Sequence, residues 1–468
     1  MTPHPAKLLL LMALVTVAGP LAAGQKASAP ARGITLPALP GKPVAGLSAA
    51  QRAGMEAALK RVRGFRAGLI VTDAGSGRTL YSRFADTPFI PASNMKLLSL
   101  STAVYTLGPD YWFSTSVTRP AGKQTASAAH LTLVGGGDPS LGQTATHSLA
   151  GLAHQVYASG IRRVGGLRLD PRLIGGAAGQ GQAGWSVPVA ERPVSGLTLN
   201  DPSAGDGAEL TTAPDTRAAL KRLGQAFRAA LEGAGIRVGP GLEMATAPVS
   251  EQGALRPEEG IATTRSAPLA ELTRTALKRS DNVWTEQLYA RVGVDTGTPL
   301  WRPASLAHAR ARELALLARA GAGRAGLVIA DGSGLSRRDR LTPRALSLLL
   351  RYVYLHPPVS ALNSQALTPE AAFAARKNLL IEALPRAGTG TASPAATRLG
   401  GTLATRLTGL DVRAKTGTLP GVSALSGYLV TQSGRVLIFS VLMDGYGGPA
   451  RHLRQLQDAL LRALAADR

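Results

Sequence analysis

The sequence predicts an α/β chain of two or three domains, with a β-rich region inserted between its halves. Three observations predict it. The 468 residues exceed what one hydrophobic core usually fills. Helical periodicity and apolar strand pairs occur near both ends of the chain. Between them, residues ~120–265 change character, with short strand-like runs among many Gly, Ala and Pro.

The elements follow in order. Residues 1–24 carry one lysine, an apolar stretch from Leu8 to Ala18 and then small residues. That is the pattern of a secretory signal, with cleavage expected between Ala23 and Ala29. The apolar run is short for a bilayer span. Residues 25–48 are Pro-, Ala- and Gly-rich and read as a linker. Residues 49–62 suit an amphipathic helix, and 67–84 suit two strands around the turn Gly75-Ser76-Gly77. From Ser93 to Leu107 the apolar spacing is helical, with Pro91 leading in and Gly108 as the stop. Ser93 then stands at a helix N-terminus, and Lys96 lies one turn on, along the same face.

In the middle region, "AHLTLVGGGDPSL" and "VGGLRLD" read as strands. Helical character returns over 267–293 and continues at 304–322 and 342–355. Residues 385–402 read as a Gly/Ala/Thr-rich loop. Two apolar strands then flank the turn Gln432-Ser433-Gly434 as in a hairpin, and a helix is expected over 451–466.

Composition limits the chemistry. There are no cysteines, so disulfides, thiolate metal sites and an N-terminal lipidated Cys are excluded. The seven His show no metal-ligand spacing, and neither a metal nor another cofactor is expected. The formal charge of +23 attracts polyanions. For an exported chain these are anionic wall polymers or a membrane surface rather than nucleic acid. A general preference for arginine on exposed surfaces would give the same charge with no partner at all.

Three short motifs carry the candidate chemistry. In "FIPASNMKLLS", Ser93 and Lys96 are three apart. A serine hydroxyl is a weak nucleophile until a base takes its proton. A neighbouring lysine can be that base if burial or a nearby cation lowers its pKa. Ser280-Asp281-Asn282 falls between two helical stretches, where Ser280 can relay a proton and the Asn282 amide can hold a carbonyl. Lys415-Thr416-Gly417-Thr418 opens the apolar C-terminal stretch. It presents a cation and two hydroxyls suited to a carboxylate, with a glycine that admits a substrate backbone. Singly, each is matched by a bland reading: a helix cap, a Ser-Asp-Asn cap, a charged strand start. In this order and context, three weak signals make one specific signal.

With that set, the chain resembles the low-molecular-mass penicillin-binding proteins of the D-alanyl-D-alanine carboxypeptidase/endopeptidase family, the class C group with a large insertion in its catalytic domain. The likeness runs through "IPASNMKLLS", "LVGGGDPSL", "PVSGLTLN", "RSDNVWTEQL", "DGSGLSRRDRLTP" and "VRAKTGTLPGVSALSGYLVT". It implies the serine β-lactamase/penicillin-binding transpeptidase-like fold, an antiparallel five-stranded sheet flanked by helices. Catalytic parts are expected at 49–118 and 263–468, with the insertion at 119–262.

The resemblance also implies roles. Ser93 is the nucleophile, and Lys96 is its base, kept neutral partly by a cationic Lys415. Ser280 passes a proton to the leaving amine, and Asn282 orients the acyl side. Lys415, Thr416 and Thr418 receive the terminal carboxylate beside Gly417. The backbone N–H groups of Ser93 and Thr418 form the oxyanion hole. Arg337 lies near the cleft, where substrate binding and plain loop exposure are equally in keeping with the sequence.

The implied substrates are peptidoglycan stem peptides, with β-lactams as inhibitors, in the periplasm or an extracellular, wall-associated setting. Two rivals stand beside this reading: a β-lactamase or esterase on the same fold, and a non-catalytic cationic wall-binding protein. The insertion is short for the family's two nested domains, so one is expected to be trimmed. The stretch "GWSVPVAERPVSGL" lacks the family's acidic residue beside the Trp, which suggests a different diamino acid in the substrate.

Overall fold

A computed structural model describes residues 45–122, 125–142, 144–174, 194–199, 216–245, 258–294, 304–360 and 367–467. The expected signal, the linker up to residue 44 and the stretch 184–193 lie outside the described residues.

The first sheet has five antiparallel strands. They are β1 (Arg66–Asp73), β2 (Thr79–Arg83), β9 (Asp411–Leu419), β10 (Val422–Val430) and β11 (Val436–Asp444). Their order is β2-β1-β11-β10-β9, so strands from both ends of the chain meet in the middle. Side chains alternate across such a sheet. On β11, Leu437, Phe439, Val441 and Met443 enter one core, while Ile438 and Leu442 enter the other. The first core is closed by helices α1 (Ala49–Lys60) and α12 (Ala450–Ala465). Met55, Leu59, Leu453 and Leu460 supply its apolar faces. Ser48 starts α1 with a full capping box to Gln51, which satisfies two otherwise orphan N–H groups.

The opposite face carries α2 (Met95–Leu107), α5 (Leu269–Arg279), α6 (Asn282–Val292), α7 (Leu306–Arg319) and α8 (Pro343–Leu355). Leu98, Leu288, Leu349 and Tyr428 are among the buried residues of that core. The expected five-stranded sheet with helices on both sides is therefore the observed one.

A second sheet is built from β3 (Ser114–Pro120), β4 (Ser127–Ala128), β5 (Leu131–Gly135), β6 (Arg163–Asp170), β7 (Arg237–Met244) and β8 (Glu258–Arg265). The outgoing strand β3 pairs antiparallel with the returning β8, from Ser114 opposite Arg265 onward. Phe113 and Ser266 seal the junction, with the Phe113 N–H donating to Ser266 Oγ at 3.0 Å and the Ser266 N–H to the Phe113 carbonyl at 2.9 Å.

This region also holds two helices that the sequence reading left unmarked, α3 (Leu149–Ala158) and α4 (Thr216–Gly233). Leu220, Leu223, Phe227 and Leu231 line the buried side of α4 against Leu167 and Leu169 of β6. Three short helices, α9 (Pro369–Ala374), α10 (Leu379–Glu382) and α11 (Pro394–Gly400), precede β9. The last of these corrects the expected loop at 385–402. Ser393 caps it and Pro394 occupies its first turn, where a missing N–H costs nothing.

Candidate active site

Ser93 sits in a single 3₁₀ turn, Ala92–Asn94, directly ahead of α2. Its side chain is half-buried. The preceding Ala92 has φ of 45°, a left-handed conformation that costs about 1–3 kcal/mol in a residue with a Cβ and persists only where surroundings impose it. The surroundings here are the loop 331–336. The Asp331 carboxylate accepts from the N–H groups of Gly334 at 2.6 Å and Ser336 at 2.7 Å. Gly334 has φ of +80°, and a Cβ on it would lie 1.9 Å from the Ala92 carbonyl oxygen. Backbone thus meets backbone at the turn that presents the hydroxyl.

Lys96 is fully buried. Its Nζ donates to Ser93 Oγ at 3.0 Å, Asn282 Oδ1 at 2.6 Å and the Ser333 carbonyl at 2.7 Å. Those three bonds use every donor of an ammonium. Burial pushes its pKa down to about 8, against the opposing fields of Glu286, Asp331 and Asp281. Burial thus lowers this amine's pKa, the direction expected from the sequence.

Ser280 ends α5 in a left-handed conformation, φ 59°. Asp281 caps α6 by accepting from the Trp284 N–H at 2.9 Å. The Ser-Asp-Asn segment therefore lies between two helices, as its sequence context indicated. Ser280 Oγ accepts from Lys415 Nζ at 2.9 Å. Lys415 is fully buried on β9, and its Nζ also donates to the Thr416 carbonyl at 2.9 Å. Asn94 Nδ2, next in the chain after Ser93, donates to the Lys415 carbonyl at 3.0 Å. Gly417 lies where a Cβ would fall 2.9 Å from the Pro91 carbonyl.

The described residues thus bring Ser93, Lys96 and Asn282 into one hydrogen-bonded group and Ser280 and Lys415 into a second, with Asn94 joining the two elements. One correction applies. The Lys-Thr-Gly-Thr segment lies within an edge strand of its own, one strand before the apolar β10. Burial, and then the charge of Lys96, hold the pKa of Lys415 well below the usual lysine range.

Thr416 is half-buried and Thr418 exposed. Thr416 Oγ1 donates to Thr402 Oγ1 at 2.7 Å. Arg337 is exposed, and its guanidinium donates to the Pro420 carbonyl at 2.9 Å, bracing the turn after β9. The sequence reading missed Ser333, Glu286, Asn94 and Thr402. Asn94 alone carried a signal, its place beside Ser93.

A buried amine against a serine hydroxyl, with a second lysine–serine pair alongside, defines a serine–lysine site set between an edge strand and a helical layer. The chain belongs to the D-Ala-D-Ala carboxypeptidase 3 (S13) family, matched over residues 51–187 and 194–466. It is 29% identical to a D-alanyl-D-alanine carboxypeptidase of Actinomadura sp., covering 86% of this chain and 82% of that protein. It is 30% identical to the carboxypeptidase DacB of Mycolicibacterium smegmatis, over 84% and 79% respectively. Among solved structures, penicillin binding protein 4 of Haemophilus influenzae superposes with a TM-score of 0.67 at 19% identity, covering 88% of this chain and 99% of that one. A peptidoglycan endopeptidase of Bdellovibrio bacteriovorus gives 0.53 at 17% identity, over 86% and 94%. The fold is therefore the penicillin-binding-protein fold that the motifs implied.

Proposed function

We propose that this protein is a serine D-Ala-D-Ala carboxypeptidase and D,D-endopeptidase that acts on peptidoglycan stem peptides through a Ser93 acyl-enzyme and binds penicillin covalently. The observation that carries this reading is the Lys96 amine at 3.0 Å from the Ser93 hydroxyl, in a chain of the carboxypeptidase family. Its relatives are named for that activity, and a Haemophilus influenzae relative has been crystallised with a β-lactam.

The substrate's terminal carboxylate lies along β9 against Lys415, Thr416 and Thr418. A carboxylate beside Lys415 raises that amine's pKa, because an opposite charge favours the charged form. A cationic Lys415 in turn weakens the hold of Lys96 on its proton, so substrate binding readies the base. Ser93 Oγ attacks the carbonyl carbon and Lys96 takes its proton. The N–H groups of Ser93 and Thr418 receive the oxyanion, typically worth ~10²–10³ in rate per donor. The C–N bond breaks, and the departing amine gains a proton through Ser280. Water then adds to the ester and returns the Ser93 hydroxyl. Asn282 holds the acyl side.

In this reading residues 1–24 direct export, 25–48 form a linker, 49–118 and 263–468 build the catalytic unit and 119–262 the insertion. Among the described residues no helix is long and apolar enough to cross a membrane. The protein acts in the periplasm or outside the cell at the wall, where its net positive charge favours anionic polymers.

Labelling of the purified protein with a fluorescent penicillin, beside Ser93→Ala, tests the assignment. A slowly released adduct on the wild type and none on the variant is expected. Rapid release assigns a β-lactamase, no adduct on the wild type a wall-binding protein, and an undiminished adduct on the variant removes Ser93 as nucleophile.

A further inference from the structure

Two of the three acceptors around the Lys96 amine depend on one helix. Asn282, the first residue of α6, accepts directly. The Ser333 carbonyl is placed by Glu286, one helical turn further along the same face. Glu286 is fully buried. Its Oε1 accepts from the Gly332 N–H at 3.0 Å and the Ser333 N–H at 2.6 Å. A peptide whose N–H groups point at Glu286 turns the next carbonyl toward Lys96. Ser99 on α2 fixes the other side, donating to the Gly332 carbonyl at 2.6 Å.

We propose that Glu286 is a positioning residue for acylation: it shapes the 331–336 loop so that the Ser333 carbonyl meets the Lys96 amine, and it supplies the buried negative charge that keeps this amine a competent base. The proposal rests on the assignment of Lys96 as the base of Ser93. Burial alone would leave an amine too weakly basic to take a hydroxyl proton, since the most effective base titrates near the working pH. The charged and titratable groups that face Lys96 are Asp281 and Glu286 of the α6 segment, Asp331 of the loop and Lys415 of β9. Glu313 of α7, against Tyr289, and Asp339, against Asp331, lie behind them. Glu286 is the member of this set that bonds both amides leading to the Ser333 carbonyl.

The test measures acylation by a fluorescent penicillin against pH for the wild type, Glu286→Gln and Glu286→Asp, with melting curves for each. In Glu286→Gln the acid limb of the profile is expected to move down by about one pH unit or more, the ordinary effect of one lost charge a few ångströms away. In Glu286→Asp, which keeps the charge, the limb is expected near its wild-type position with a lower plateau. A limb that stays put in Glu286→Gln while the rate falls equally at every pH overturns the proposal.

A direct titration needs no turnover. The ¹³Cε-lysine resonance of Lys96 in the wild type, assigned by its loss in Lys96→Arg, is followed against pH. Titration near 8 is expected, and titration several pH units lower overturns the proposal. Failure of the parent assignment reads differently, as a wild type without an adduct or a Ser93→Ala variant with one.

Discussion

The Asn94 side-chain amide donates to the Lys415 carbonyl at 3.0 Å, tying the turn that carries Ser93 to β9 through a bond that uses neither the Ser93 hydroxyl nor the Lys415 amine. Asn94 is fully buried and follows Ser93 directly. Together with the close approach of Gly417 to the Pro91 carbonyl, this bond holds the Ser93 turn against β9.

Asn94→Ala is expected to lower stability by about 1–3 kcal/mol, the usual cost of stranding a buried backbone acceptor. It should also slow penicillin acylation by roughly tenfold or more, because misplacing groups by an ångström is costly in an oriented site. Melting curves and stopped-flow labelling check the two effects. Wild-type acylation in a destabilised variant would show that the tie serves the fold alone.

Lys415 invites the opposite trade. Its amine is wholly buried, depressed in pKa and next to a second lysine, an arrangement that burial makes costly. Lys415→Met is expected to leave the melting temperature unchanged or raise it. It should reduce kcat/KM for a D-Ala-D-Ala peptide by roughly 10²-fold or more, since the substrate carboxylate loses its cation and Ser280 its hydrogen-bond donor. A large loss of stability with activity retained would contradict this.

Legibility of the site followed locality. Ser93 and Lys96 share a helix face, and that spacing shows in eleven residues. Ser280-Asp281-Asn282 showed as a break between two amphipathic stretches, which is what the left-handed Ser280 provides. Glu286 was not legible. In "NVWTEQL" it looks like any solvated helix glutamate, and its burial arises from loop amides 46 and 47 residues away. The carbonyl of Ser333 has no side-chain signature at all. Helix α4 went unmarked because the Gly- and Pro-rich stretches around it suggested strands and turns, although its apolar residues keep helical spacing.

Gly334 tests how the loop supports the Ser93 turn. Its positive φ and the 1.9 Å approach of a built Cβ to the Ala92 carbonyl leave no room for a methyl group. Gly334→Ala is expected to destabilise by a few kcal/mol, combining a left-handed backbone with a backbone clash. Acylation should fall with it, because the Ser93 turn has to shift. Gly323, where a Cβ meets nothing within 4 Å, is the control: Gly323→Ala should change neither property.

The buried carboxyls behind Lys96 predict how stability varies with pH. Burial pushes Glu313 up to about 8, despite the hydrogen bond it accepts from Tyr289. Asp339, buried beside Asp331, is pushed up to about 9. Both are therefore protonated in the native state at neutral pH and ionised in the unfolded chain, where carboxyls titrate near 4. Between those values the native state binds more protons than the unfolded state, so stability falls as pH rises from about 4.5 toward 8. Above about 9 the two states carry the same charge at these sites, and this dependence ends. Lys96, with a native pKa near 8, acts in the other direction but only above pH 8, where the unfolded amine is still protonated. Glu313→Gln removes one raised carboxyl while retaining an acceptor for the Tyr289 hydroxyl. Melting curves from pH 5 to 8 are expected to be flatter for this variant than for the wild type, with the variant gaining on the order of a few kcal/mol relative to the wild type by pH 8. Parallel curves would mean that Glu313 is ionised in the folded protein and that its charge is compensated within the α6–α7 interface.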